Sequence, residues 1–140
     1  MPVLYKIISL HSCDIFVNLA ATCFPIPSPV SVSYTHLDVY KRQPVSAARL
    51  NKINDFYYLE ALETPPQYRK KGYASELLNE MITHLHQQGS VDIRDCVSKT
   101  NTASLATHKK CGFFIAEENG IYYPSNTVNN KTYGMRYFIR

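Results

Sequence analysis

The chain has 140 residues and a formal net charge of +4, with 45% hydrophobic and 19% charged residues. That length supports one domain, and the composition excludes a disordered or low-complexity chain. The mild positive balance suits an anionic ligand without deciding for one, and no apolar run reaches the roughly 18 residues that a membrane-spanning helix needs.

Residues 3–10, rich in β-branched and apolar side chains, read as a strand. The apolar stretch 7–24 is broken by His11, Asp14 and Asn18, and no small-residue cleavage site follows it, so we do not read a secretory leader. Pro25, Pro27 and Pro29 then end any regular structure. Cys13, Cys23, Cys96 and Cys111 form no CxxC pair and stand at no zinc spacing. They read as reduced thiols of a cytoplasmic protein without a metal centre. His84 and His86, two apart on a predicted helix, point to different sides and cannot share a metal.

Residues 32–43, VSYTHLDVYKRQ, carry no legible fold logic. One back-translation of them, preceded by two bases from a TCT codon for Ser31, is its own reverse complement. It resembles two head-to-head copies of the transposase mosaic end used in preparing sequencing libraries. The resemblance implies an artefactual insert at 31–43 that joins residues 1–30, unassigned and unrelated, to a core at 44–140. A natural basic loop with two tyrosines, Tyr34 and Tyr40, is the alternative. A segment never selected for this fold is expected to lie on the surface and pack against little. No element is legible in 44–52 either.

Residues 56–64 read as a strand stopped by Pro65 and Pro66. Ala74, Leu77, Leu78, Met81, Ile82 and Leu85 mark one face of an amphipathic helix that Gly89 closes. A strand over 91–97 puts Val91, Ile93 and Val97 on one face, with Asp95 among them. A short helix over 102–110 is stopped by Gly112, and 113–116 and 132–139 are two more strands. The loop 119–131 is rich in Asn and Gly and reads as mobile. The order strand–helix–strand–helix–strand–strand makes the first two strands parallel and lets the last two pair antiparallel. The class is α/β, an α+β mixed sheet.

Between the strand at 56–64 and the helix lies Pro66-Gln67-Tyr68-Arg69-Lys70-Lys71-Gly72-Tyr73-Ala74. Free N–H groups and the dipole at a helix start attract anions. Gly72 permits torsions a side chain would forbid, Ala74 keeps the first turn small, and Arg69, Lys70 and Lys71 add positive charge. A solvated basic turn is the other reading of these residues.

Arg69-x-x-Gly72-x-Ala74 resembles the Arg/Gln-x-x-Gly-x-Gly/Ala signature of the GNAT acetyltransferases. Asn101-x-x-Ser104, followed by His108, Lys110, Gly112 and Phe113, is similar to that family's Asn-x-x-Ala…Tyr-x-Lys-x-Gly-Phe segment. The resemblance covers 54–140 and implies a β-α-β-α-β-β acetyl-coenzyme A binding core whose N-terminal strands are missing or replaced. It implies that Arg69, Lys70, Lys71, Gly72, Tyr73 and Ala74 bind the pyrophosphate. Asn101 and Ser104 would lie along the pantetheine arm. Main-chain groups at Leu62, Glu63 and Thr64 would bond the pantetheine and the thioester where the strand splays from its neighbour.

Amine acetylation profits from one base and one acid. Glu60 stands where the family often places an acidic residue. It reads as a base working through water or as a solvent-facing carboxylate. His108 replaces the family's Tyr, and reads as the acid that protonates the thiolate or as an idle polar residue of the helix face. Asp95 reads as a buried, hydrogen-bonded carboxylate or as a substrate contact. The implied function is N-acetyl transfer from acetyl-coenzyme A to a primary amine of a small molecule or protein, with no metal and no membrane partner. A basic nucleic-acid-binding module, with Tyr68 and Tyr73 beside the basic run, and an inert chimeric fragment are the alternatives.

Overall fold

This computed structural model describes the backbone of residues 3–9, 31–38 and 43–140, and side chains from Val45 onward. Cys13, Cys23 and the prolines at 25, 27 and 29 lie outside the described residues. The strands are β1 Val3–Ser9, β2 Ser31–Asp38, β3 Gln43–Ile53, β4 Phe56–Glu63, β5 Val91–Ser98, β6 Phe114–Glu117, β7 Gly120–Tyr122, β8 Thr127–Asn129 and β9 Thr132–Ile139. Helix α1, Tyr73–His86, joins β4 to β5, and α2, Thr102–Lys110, joins β5 to β6. Among the described residues, seven strands form one sheet in the order β1-β2-β3-β4-β5-β9-β6, and β7 and β8 form a separate hairpin.

β4 and β5 run parallel, with α1 as their crossover, while β5 with β9 and β6 with β9 run antiparallel. The mixed sheet and the β-α-β-α-β-β order of the core are as the sequence implies. The face of α1 that carries Leu77, Leu78, Met81, Ile82 and Leu85 packs on Leu50, Leu59, Val91, Ile93 and Met135. Burying each such side chain stabilises the fold by about 1.5–3 kcal/mol relative to exposure. Through this core α1 packs on β3 and β5.

Three expectations are corrected. Residues 44–52, read as featureless, form most of β3 and pair along the whole of β4. Ala48 and Leu50 are buried and Arg49 is exposed, but Ser46, Ala47 and Ala48 have weak strand propensity and dilute that alternation. Residues 31–38, within the segment expected to lie on the surface and pack against little, pair with β1 on one side and β3 on the other. Ladder hydrogen bonds are made by the backbone whatever the side chains, and Val32, Tyr34 and Thr35 suit a pleated strand. The stretch 119–131, read as loop throughout, contains a hairpin: Gly120–Tyr122 pairs with Thr127–Asn129, and Asn126 in the turn has φ 51°.

Candidate active site

β4 and β5 pair at Tyr57↔Ile93, Tyr58↔Arg94 and Leu59↔Asp95, and then part, although β4 runs on to Glu63 and β5 to Ser98. The splay expected near the end of β4 is present. On its other side β4 slips register: Leu50 faces Leu59 and Arg49 faces Ala61, which leaves Glu60 as the extra residue of a β-bulge. Its carboxylate accepts from Asn51 Nδ2 at 2.9 Å and lies 3.5 Å from the Arg49 guanidinium. Glu60 is therefore tethered to β3 rather than simply solvated. Ser46, buried in β3, donates to the Glu63 carbonyl at 3.2 Å and lies 3.0 Å from Thr64 Oγ1. These contacts fix the strand end at Leu62, Glu63 and Thr64.

The chain then makes a 3-10 turn at Pro66–Tyr68 and enters α1. Arg69 Nε donates to the Thr64 carbonyl at 2.9 Å, so the turn is strapped to the end of β4. Lys70 has φ 61° and Gly72 φ 87°. A left-handed lysine is strained by about 1–3 kcal/mol, a cost that concentrates at functional turns. A Cβ at Gly72 would meet nothing within 4 Å, so the backbone torsion, not crowding within the chain, calls for glycine. No side chain caps α1. The N–H groups of Ala74 and Ser75, in the first turn, therefore have no intrahelical acceptor, and the dipole makes this end positive. Arg69, Lys70 and Lys71 are exposed around it. Tyr68 is buried, edge-on to Tyr73 at 6.3 Å, with Lys71 Nζ 5.8 Å from its ring. A ring packed this way braces the turn and cannot stack a base, so the nucleic-acid reading loses Tyr68, one of its two tyrosines.

Asn101 caps α2, its Oδ1 accepting the Ser104 N–H at 3.1 Å. One turn on, His108 is 1% exposed. Its Nδ1 donates to the Ser104 carbonyl at 2.8 Å, and Nε2 lies 2.8 Å from Asp95 Oδ2. Asp95 Oδ1 accepts the Cys96 N–H. The reading of His108 as an idle helix-face residue is corrected: the i, i+4 face of Ser104 and His108 turns inward onto β5. Asp95 is the buried, hydrogen-bonded carboxylate. Burial pushes its carboxyl up, against the pull of His108. Burial alone would lower the His108 imidazole, but the hydrogen bond and charge of Asp95 outweigh it and hold it above its ordinary value. Both ring nitrogens are engaged, so His108 reaches the splay through Asp95, the last residue of β5 that still pairs with β4.

Glu60, Leu62, Glu63 and Thr64 thus share one strand end, residues 69–74 follow it directly, and Asp95 ties His108 to the point where the strands part. Among the described residues no group of three or more His, Cys, Asp or Glu side chains could hold a metal ion.

Residues 22–113 match the family described as the acetyltransferase (GNAT) family. The chain belongs to the GNAT family. The match begins upstream of residue 44 and runs through β2 and β3. No curated protein matches the chain in sequence. Among solved structures it is similar to the ribosomal-protein-S18-alanine N-acetyltransferase from Escherichia coli, with 20% identity, a TM-score of 0.64, and 78% of this chain covering 69% of that one. An acetyltransferase from Bacillus subtilis in complex with CoA gives 14% identity and a TM-score of 0.65, with 79% and 78% of the two chains covered. PaiA N-acetyltransferase from Thermoplasma acidophilum in complex with coenzyme A gives 17% and 0.64; 78% of this chain covers 61% of that one. Identities this low speak for the fold alone. By family this is a GNAT-type acyltransferase. The sequence reading missed the site's supports in this GNAT chain: Ser46, Arg49 and Asn51 all come from β3. The faint alternation of Ala48 and Leu50 with Arg49 and Asn51 was the one signal for that strand.

Proposed function

We propose that this GNAT enzyme moves an acetyl group from acetyl-coenzyme A to a primary amine of a small molecule or protein, in the cytoplasm. One observation carries the reading: an uncapped, basic-flanked helix start, with left-handed torsions at Lys70 and Gly72, is strapped by Arg69 to the splayed end of β4. In this reading the N–H groups from Gly72 to Ala74, with Arg69, Lys70 and Lys71, hold the pyrophosphate. Main-chain groups at Leu62, Glu63 and Thr64 receive the pantetheine and the thioester carbonyl, with Asn101 and Ser104 alongside. A strand N–H at the splay would stabilise the oxyanion. Glu60, positioned by Arg49 and Asn51, takes the amine's proton through water. As the C–N bond forms and the C–S bond breaks, the leaving thiolate takes the proton that His108 shares with Asp95, passed on through Asp95 because both ring nitrogens of His108 are engaged. Residues 44–140 are the core that does this, and 31–43 are of foreign coding origin.

Calorimetry of the full chain with acetyl-coenzyme A tests the first half, and thiol release with a panel of amines tests the second. Saturable binding and amine-dependent thiol release are expected. A chain that binds neither coenzyme A nor its acetyl ester would overturn the proposal.

A further inference from the structure

The seven-stranded sheet ends on β6, which pairs with β9 on one side and with no strand on the other among the described residues. Such an edge offers a row of N–H and C=O groups to any chain that lies beside it, and monomers blunt it with lysines, prolines, inward charges or bulges. β6 reads Phe114-Ile115-Ala116-Glu117. Its guards are a bulge at Ala116 and the glutamate at its end.

Phe114 faces Arg136 on the side of the sheet away from α1, and Ile115 faces Met135 on the side of α1. They are 49% and 39% exposed. β9 runs on past the start of β6, and its Phe138 and Ile139 are also exposed. Four of the six large hydrophobic side chains exposed among the described residues thus crowd one corner. Apolar area gathered in one place marks a contact surface, where single exposed residues would not.

Charge is sorted along the same edge. The exposed Lys109 and Lys110 precede the start of β6, and the exposed Arg140 lies past the end of β9 on that side. Glu117 closes β6, and the exposed Glu118 follows it. The edge therefore has a basic end and an acidic end. Two such edges laid antiparallel set each basic end against the other's acidic end, whereas a parallel arrangement would set like charges together.

We propose that a second copy of this chain docks on this edge, the two β6 strands pairing antiparallel about a twofold axis so that one sheet runs through both copies. Phe114 and Phe138 line one face of the seam, and Ile115 and Ile139 the other. The contact is the same patch on both copies, so it closes at two. One short strand and four apolar side chains stand at the small end of stable interfaces, which places the dissociation constant in the micromolar range. The dimer rests on this edge alone and not on acetyl transfer.

Sedimentation velocity of the full chain, from low to high micromolar concentration, should show the mass rising from one chain to two and stopping there. Hydrogen exchange over the same range should slow at the amides of 114–117. Phe114→Glu should hold the chain at one copy throughout, because it takes an apolar side chain from the seam and turns a carboxylate toward the partner's acidic end. Within its own chain the new carboxylate sits opposite Arg136, so Tm should not fall. A chain that stays single at high micromolar concentration, or a mass that climbs past two, would overturn the proposal. So would a dimer that leaves 114–117 unprotected or that survives Phe114→Glu.

Discussion

His108 Nε2 lies 2.8 Å from Asp95 Oδ2 while its Nδ1 lies 2.8 Å from the Ser104 carbonyl, so ring and carboxylate hold a single proton between them. A carbonyl only accepts, so Nδ1 carries its hydrogen, and one further proton serves both Nε2 and Oδ2. The pair is neutral wherever that proton sits, which is how two ionisable groups stay buried together. Unfolded at slightly alkaline pH, the same two groups would be a neutral imidazole and a carboxylate, one proton fewer. The stability from the raised His108 value is therefore full below about pH 6.5 and is lost as pH rises through the folded value. We expect Tm to fall between about pH 7 and 9, below the range where tyrosines titrate, and the slope to be smaller in His108→Gln. Equal slopes in the two proteins would argue against a shared proton.

Gly72→Asp should abolish coenzyme A binding with little change in Tm. Asp tolerates left-handed torsions better than most residues, and a Cβ here touches nothing. The change therefore reports on charge at the helix start rather than on folding. Calorimetry showing unchanged affinity would remove the turn from the cofactor site.

Glu60→Gln should lower kcat by about 10²-fold or more with little effect on coenzyme A affinity, the usual scale for losing a general base. Arg49→Ala should give a smaller loss in the same direction, since Asn51 still holds the carboxylate at 2.9 Å. Steady-state rates on an accepted amine decide it. A Glu60→Gln rate within a factor of about two of wild type would return Glu60 to the surface.

Deleting residues 1–42 should uncover the β3 edge and part of α1, which also packs on β2. A lower Tm and aggregation through the freed edge are expected. An unchanged melting curve would show that β2 does not contribute to the fold. The foreign origin of 31–43 has a separate check. Resequencing the source DNA should break the reading frame between the codons for residues 30 and 44, and an intact junction in independent clones would refute it.

Everything from residue 56 onward was legible where a period was long or a breaker firm. The face from Leu77 to Leu85 fixed α1, and Gly112 stopped α2. What stayed hidden were the devices that depend on partners distant in sequence. Nothing in the string pairs Asp95 with His108, thirteen residues away. The bulge at Glu60 exists only as a slip against β3, and β3 was itself unread because small residues mask its alternation. The hairpin at Gly120–Asn129 looked like loop because its burial comes from one glycine. A Cβ at Gly120 would meet Thr132 Oγ1 at 2.5 Å and Cys96 Sγ at 2.8 Å.

The strap from Arg69 Nε to the Thr64 carbonyl closes a span of five residues that contains two prolines. Proline fixes its own φ and restricts the residue before it, so the span is stiff. The distance from the helix start to the strand end is then nearly constant, and the span works as a ruler. A ligand seated at both ends must match its length, and one that is too short can be gripped at one end only. Cutting the strap with Arg69→Ala would free the two ends to move apart while leaving each intact. Length discrimination would fade before affinity does.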